Sequence, residues 1–172
     1  MDKLYDCTAD VLEHISKVQY WIYYFAHMLR GRAQIHDESK LEEPEKSMFD
    51  RWTPELKRLE FGSEEYKSAL SSMGEALKHH YENNRHHPEH YENGVSGMTL
   101  FDLIEMFCDW LAAAQAKKEP VNIDYLSDRF GISPQLMGIL INTLNQLDFW
   151  NELDNLPVQY FTPEHHKRQV ED

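Results

Sequence analysis

VLEHISKVQYWIYYFAHML, Val11 to Leu29, decides the fold class. Val11, Ile15, Val18, Ile22, Phe25 and Leu29 recur every three or four residues, the spacing of one face of an α-helix. The stripe is expected to be buried against a helical core. Asp10 and Glu13 have the spacing of a capping box, with Thr8 as a second candidate for the helix start. Gly31 reads as its stop. A short second helix is expected over Arg32–Leu41, limited by Pro44.

The rest of the chain keeps the helical character. The polar stretch 44–62, interrupted by Pro54, reads as short helices and a surface excursion. Ser63 caps a helix through Tyr66, Leu70, Met73 and Leu77. Asn83, Asn84, Pro88, Asn93 and Gly94 then break regular structure. Thr99 and Asp102 form a capping-box pair ahead of the apolar helix LFDLIEMFCDWLAAA, Leu100 to Ala114. After Pro120 two more helices are expected, near Tyr125–Phe130 and Pro134–Leu147. Few segments alternate with period two, and there is no internal repeat or Gly/Ser linker. The reading is an all-α single domain over residues 1–172. It has about five core helices in residues 8–118, a helical extension over 119–156 and a polar tail over 157–172.

Composition narrows the partners. A formal net charge of -13 repels polyphosphate backbones, so a nucleic-acid polymer is not expected. A small anionic substrate is compatible with that charge if a metal or local Lys/Arg reverses the field in one cleft. Cys7 and Cys108 form no CxxC pair, and reduced thiols are expected. The N-terminus lacks a signal-peptide pattern. The longest apolar-rich stretch, Tyr20 to Ala26, is too short to span a bilayer. These features point to a soluble, cytoplasmic protein without a membrane partner, and leave a homo-oligomer open.

Two stretches carry chemistry. KHHYENNRHHPEH, Lys78 to His90, holds five of the ten histidines: His79, His80, His86, His87 and His90. Such a run is a solvated tract, a pH sensor or part of a metal site, and its partners decide which. His79 and His80 point in different directions from one helix, and His80 lies on the inward stripe with Ala76 and Leu77. His86 and His87 precede Pro88 in an expected turn. RAQIHDESKLEEPE, Arg32 to Glu45, pairs His36 with Asp37. Imidazole and carboxylate both ligate divalent cations. Helix neighbours do not share a face, yet both can reach an ion lying between their directions. His14 sits on the apolar face of the first helix, against the alternative of a core histidine bonded to a carbonyl. Asp109 sits deep in an apolar run, where a carboxylate is costly unless paired or metal-bound. Asp102 is accounted for by capping, and Glu42, Glu43 and Glu45 read as a solvated face.

In this order the chain resembles the HD-domain superfamily of metal-dependent phosphohydrolases, over roughly residues 8–115. The resemblance matches His14, His36 with Asp37, the later histidines and Asp109 to the family's pattern. IHDESK is similar to its HD-x-x-K version, with Lys40 as the lysine. HHYENNRHHPEH is similar to the segment that supplies a second metal in binuclear members. The polar insertion Glu42 to Gly62 and the surplus of histidines depart from the pattern. The whole chain also resembles an uncharacterised family of bacteriophages and bacteria with HDESKLEEPE and HHPEHY stretches.

The resemblance implies an HD-type bundle that hydrolyses a phosphoester of a small, nucleotide-like substrate. It implies one or two divalent ions, with Mn, Mg, Fe, Ni and Zn not distinguished. The expected ligands are His14, His36, Asp37, His80, His87 and Asp109. Asp37, Lys40 and Glu38 are the expected catalytic groups, Glu38 for proton transfer. Lys40, Arg32, Arg85 and His90 are the expected substrate contacts. A di-iron oxygenase uses nearly the same ligands, and a non-enzymatic, metal-stabilised interaction protein is the third reading.

Overall fold

The structure, a computed structural model, describes residues 5–60 and 62–147. Those residues form α1 (Thr8–Ile35), α2 (Glu45–Leu56), α3 (Glu64–Ser71), α4 (Gly74–Asn83), α5 (Leu100–Lys117), α6 (Ile123–Phe130) and α7 (Pro134–Gln146). Short 3-10 turns lie at Glu38–Leu41, Pro88–His90 and Gly94–Gly97. No strand occurs among the described residues, so the all-α expectation holds. The polar tail from residue 157 and the part of the expected helical extension from residue 148 lie outside the described residues.

The chain divides into two compact units, Met1–Cys108 and Asp109–Asp172, with the division falling inside α5. In the second unit, Trp110, Ala114, Val121, Leu126, Ile132, Met137, Leu140 and Leu144 are buried. Trp110 stacks on Phe130 with ring centroids 5.9 Å apart. Asn122 and Ser133 accept from the backbone amides of Tyr125 and Leu136 and cap α6 and α7. Gly131 ends α6 in the left-handed conformation, as a C-terminal glycine does.

In the first unit the expected helix boundaries shift in three places. α1 does not stop at Gly31 but runs on to Ile35, so there is no separate α-helix over Arg32–Leu41. Glycine inside a helix costs about 1 kcal/mol. Arg32 offsets this by docking the last turn of α1 through ion pairs to Asp102 and Glu105. The helix starts after Cys7, with Asp6 accepting from the amide and hydroxyl of Thr8, not at an Asp10–Glu13 box. The helix capped by Ser63 breaks at Gly74, whose φ of +48° suits glycine, giving α3 and α4 where one helix was expected. The Thr99–Asp102 capping box forms as read: the Thr99 amide donates to Asp102 Oδ2 at 2.8 Å and the Asp102 amide to Thr99 Oγ1 at 3.3 Å.

The largest correction concerns α1 itself. None of its residues is buried, and Val11, Ile15, Val18, Ile22 and Phe25 are exposed. A helix of 28 residues is about 42 Å long. Phe25 on Phe101 at 5.3 Å and the Arg32 ion pairs dock the C-terminal half of α1 in the first unit.

Candidate metal centre

The centre is built where α1 ends. The chain turns at His36 and Asp37, and Asp37 takes a left-handed backbone, φ 56° and ψ 16°. That conformation is disfavoured for a residue with a Cβ, costing on the order of 1 kcal/mol or more. It lets the Asp37 backbone start the Glu38–Leu41 turn. α4 brings His79 and His80, and the following loop brings His86 and His87.

Two carboxylates not expected at the site orient these rings, and one of them, Glu45, was expected on a solvated face. Glu45, fully buried at the start of α2, accepts from His79 Nδ1 and His80 Nδ1, each at 2.8 Å. Glu105 Oε1 on α5 accepts from His36 Nδ1 at 2.9 Å and faces His86 Nδ1 at 3.2 Å. Its other oxygen accepts from Arg32 Nε at 2.6 Å. Burial pushes both carboxyls up, but the donors outweigh it. His79, Ser39 and His80 hold Glu45 below its ordinary range, and His36, His86 and Arg32 hold Glu105 well below it. Both are ionised and can only accept, so the Nδ1 atoms facing them carry the protons. Burial, with the Lys40 charge, lowers His80 against the opposing pull of Asp37 and Glu45, which keeps its ring neutral.

With its ring neutral and Nδ1 protonated, His80 has an unprotonated Nε2, and the Nε2 atoms of His36, His80 and His86 all face Asp37. His80 Nε2 and His86 Nε2 each lie 3.5 Å from Asp37 Oδ1. His36 Nε2 lies 3.6 Å from Asp37 Oδ2. These separations are too long for good hydrogen bonds. They match the roughly 3.3–3.6 Å between neighbouring ligands of a tetrahedral ion with bonds near 2.0–2.2 Å. His87 Nε2 comes within 2.8 Å of His80 Nε2. Asp37 Oδ1 and His86 Nε2 are buried without a hydrogen-bond partner. Unsatisfied buried groups are costly, and a cation between them would satisfy both.

Asp37, His80, His86 and His87 offer ligand atoms that all lie within 4.8 Å of one another, and so do His36, Asp37 and His86. The two sets share Asp37 and His86. His36 and His86 face Glu105 and His80 faces Glu45, and a carboxylate behind the ring is the arrangement that orients metal-binding histidines.

The other expected site residues divide. Lys40 bonds Asp37 and lies over the Phe49 ring, 4.9 Å from its centroid. Arg32 is committed to Asp102 and Glu105, both at 2.6 Å, so it positions Glu105 where a substrate contact was expected. Arg85 is half-exposed, over Tyr91 and 3.4 Å from Asp102. His90 donates through Nδ1 to the Tyr81 carbonyl at 2.9 Å, away from the converging set. Glu38 is exposed and is not among the groups that converge. His14 is exposed on α1, 22 residues before His36 and so about 33 Å along the helix axis. A continuous α1 therefore removes it from the site. Asp109 lies on α5 one turn beyond Glu105.

The missed residues had weak signals. Glu45 sits among acidic neighbours that look solvated, yet it is completely buried. Glu105 stands one turn before Asp109 in the apolar helix, where the same desolvation argument applied. His86, read in an expected turn and not among the expected ligands, is more buried than His87.

No curated protein and no solved structure matches the chain. The model of one family, described as a family of unknown function (DUF5662), matches residues 3–146, and the chain belongs to that family.

Proposed function

We propose that this protein is a metal-dependent phosphohydrolase of HD type acting on a small anionic, nucleotide-like substrate. The observation that supports it most is the convergence of His36, His80 and His86 on Asp37 at 3.5–3.6 Å, with two buried ligand atoms left unbonded. His36, Asp37, His80, His86 and His87 would hold one or two ions, Asp37 being common to both sets. Asp109, on the same face of α5 as Glu105, is the further carboxylate that the resemblance supplies. A set this rich in imidazole suits Zn, Fe or Ni better than Mg, Mn or Ca. A divalent ion bound there supplies an activated water at neutral pH and polarises a phosphoryl oxygen.

The chain's own residues set the conditions. Glu45 and Glu105 keep the imidazoles in one tautomer and orientation. Arg32 holds Glu105 in place and charged. Lys40, partly exposed beside Asp37 and steadied by Phe49, is the cation best placed to meet a phosphate at the mouth of the site. The acidic surface around it favours a small substrate over a polymer.

The test is metal analysis followed by turnover. The purified protein is stripped with chelator and reloaded with Zn, Mn, Fe or Ni. It is then assayed on bis-p-nitrophenyl phosphate and a nucleotide panel. Loaded wild type should turn over, and Asp37→Ala should lower kcat/KM by about a hundredfold or more while keeping the helical circular dichroism. A loaded protein inert on every phosphoester overturns the hydrolase. Oxygen consumption by the iron form would then assign an oxygenase, and inertness in both assays a structural metal.

A further inference from the structure

We propose that the exposed face of α1 is a self-association surface, and that its occupant is α1 of a second copy of this chain. Val11, Ile15, Val18, Ile22, Phe25 and Leu29 are spaced four, three, four, three and four residues apart. That is the 3.5-residue repeat of a helix seam that takes another helix, not the looser period of a helix lying on a broad core. The repeat is sustained over more than two heptads, and five of its six residues are exposed.

The flanks say which helix fits. The positions beside the seam are Leu12, Gln19 and Ala26 on one side and His14, Trp21 and Met28 on the other. None is acidic, in a chain of net charge -13 whose general surface repels its own copies. The charged pair Glu13 and Lys17 lies away from the seam. A second α1 brings a seam of equal length and equally neutral flanks. This self-complementarity is what a two-fold interface requires.

The area is sufficient. Val11, Leu12, Ile15, Val18, Trp21, Ile22, Phe25 and Met28 are each at least 40% exposed. Together they offer roughly 800 Å² per protomer, which is what one partner contributes to a stable interface of standard size. A lone apolar patch of that size is unusual on a monomer.

The experiment measures mass in solution by analytical ultracentrifugation on the full chain at micromolar concentration. Wild type should sediment at twice 20.4 kDa. Val18→Glu/Ile22→Glu should raise the dissociation constant by about a hundredfold or more, because each dimer would bury unpaired carboxylates. Tyr20→Glu, on the side of α1 opposite the seam, should leave the dimer intact. Unchanged circular dichroism in all three excludes misfolding, since these side chains are exposed in the protomer. A monomeric wild type overturns the proposal. So does a dimer that survives the seam substitutions, or one that Tyr20→Glu breaks equally.

Discussion

The two compact units have opposite interiors. The second contains Leu126, Leu140, Leu144, Met137, Ile132 and Trp110 among its buried residues, an apolar core stabilised by burial. In the first, the most deeply buried side chains include Glu45, His80, His86 and Asp102 beside Met73 and Met106. Burying that many polar and charged groups is rarely favourable in itself. It becomes favourable when every donor finds an acceptor and a cation takes up what remains. The contrast teaches that one short chain carries a unit with an apolar interior and another whose centre gathers buried polar and charged groups.

The sharpest way to break the contrast is Glu105→Ala. It removes the acceptor of Arg32, His36 and His86 in one step and leaves a partly buried guanidinium with one partner fewer. The expected loss is about 3–5 kcal/mol, with metal affinity falling about 10–100-fold. Urea melts and metal titration by calorimetry measure both. A stability loss below 1 kcal/mol together with unchanged affinity would show that Glu105 orients nothing.

Leu126→Ala tests the other interior. Leu126 is 2% exposed, so the cavity should cost about 2–5 kcal/mol. The loss should be the same with and without chelator, because Leu126 and the buried residues described around it are apolar and bind no ion. A loss that chelator changes severalfold would erase the distinction between the two cores.

Acid sharpens the contrast with a smaller, graded effect on the metal-free protein. His80 is lowered in the folded state, so the unfolded chain binds its proton first. Stability should fall as pH drops below the ordinary histidine value of about 6.5 towards the lowered folded one. Glu45, Glu105 and Asp102 are also lowered in the folded state, Asp102 to about 2. Their stabilisation is present above the ordinary carboxylate range of about 4 and is lost as pH falls through the folded values. Urea midpoints at near-neutral, mildly acidic and strongly acidic pH should therefore step down twice. His80→Gln should remove the first step, and its persistence there would assign the step to another group.

Much of the helical layout was legible because caps and breakers act locally. Ser63, the Thr99–Asp102 box and Pro134 mark starts that depend on a few neighbouring atoms. The His36–Asp37 pair and the inward turn of His80 were legible for the same reason. Gly31 misled because a tolerable helix defect looks the same in sequence as a stop, and the ion pairs that sustain the last turn come from residues 70 or more positions away. The fate of His14 followed from that one boundary.

The sequence by itself determined the helical period, the caps, the acidic charge and the residue types able to hold a cation, since each rests on short-range chemistry. Only the tertiary structure decided that Glu45 is buried and Glu105 partly buried and that both face the histidines, that His86 belongs with Asp37, and that the stripe of α1 is exposed. Those outcomes depend on which distant side chains meet. Burial and the direction of a ring nitrogen are properties of that meeting, not of spacing along the chain.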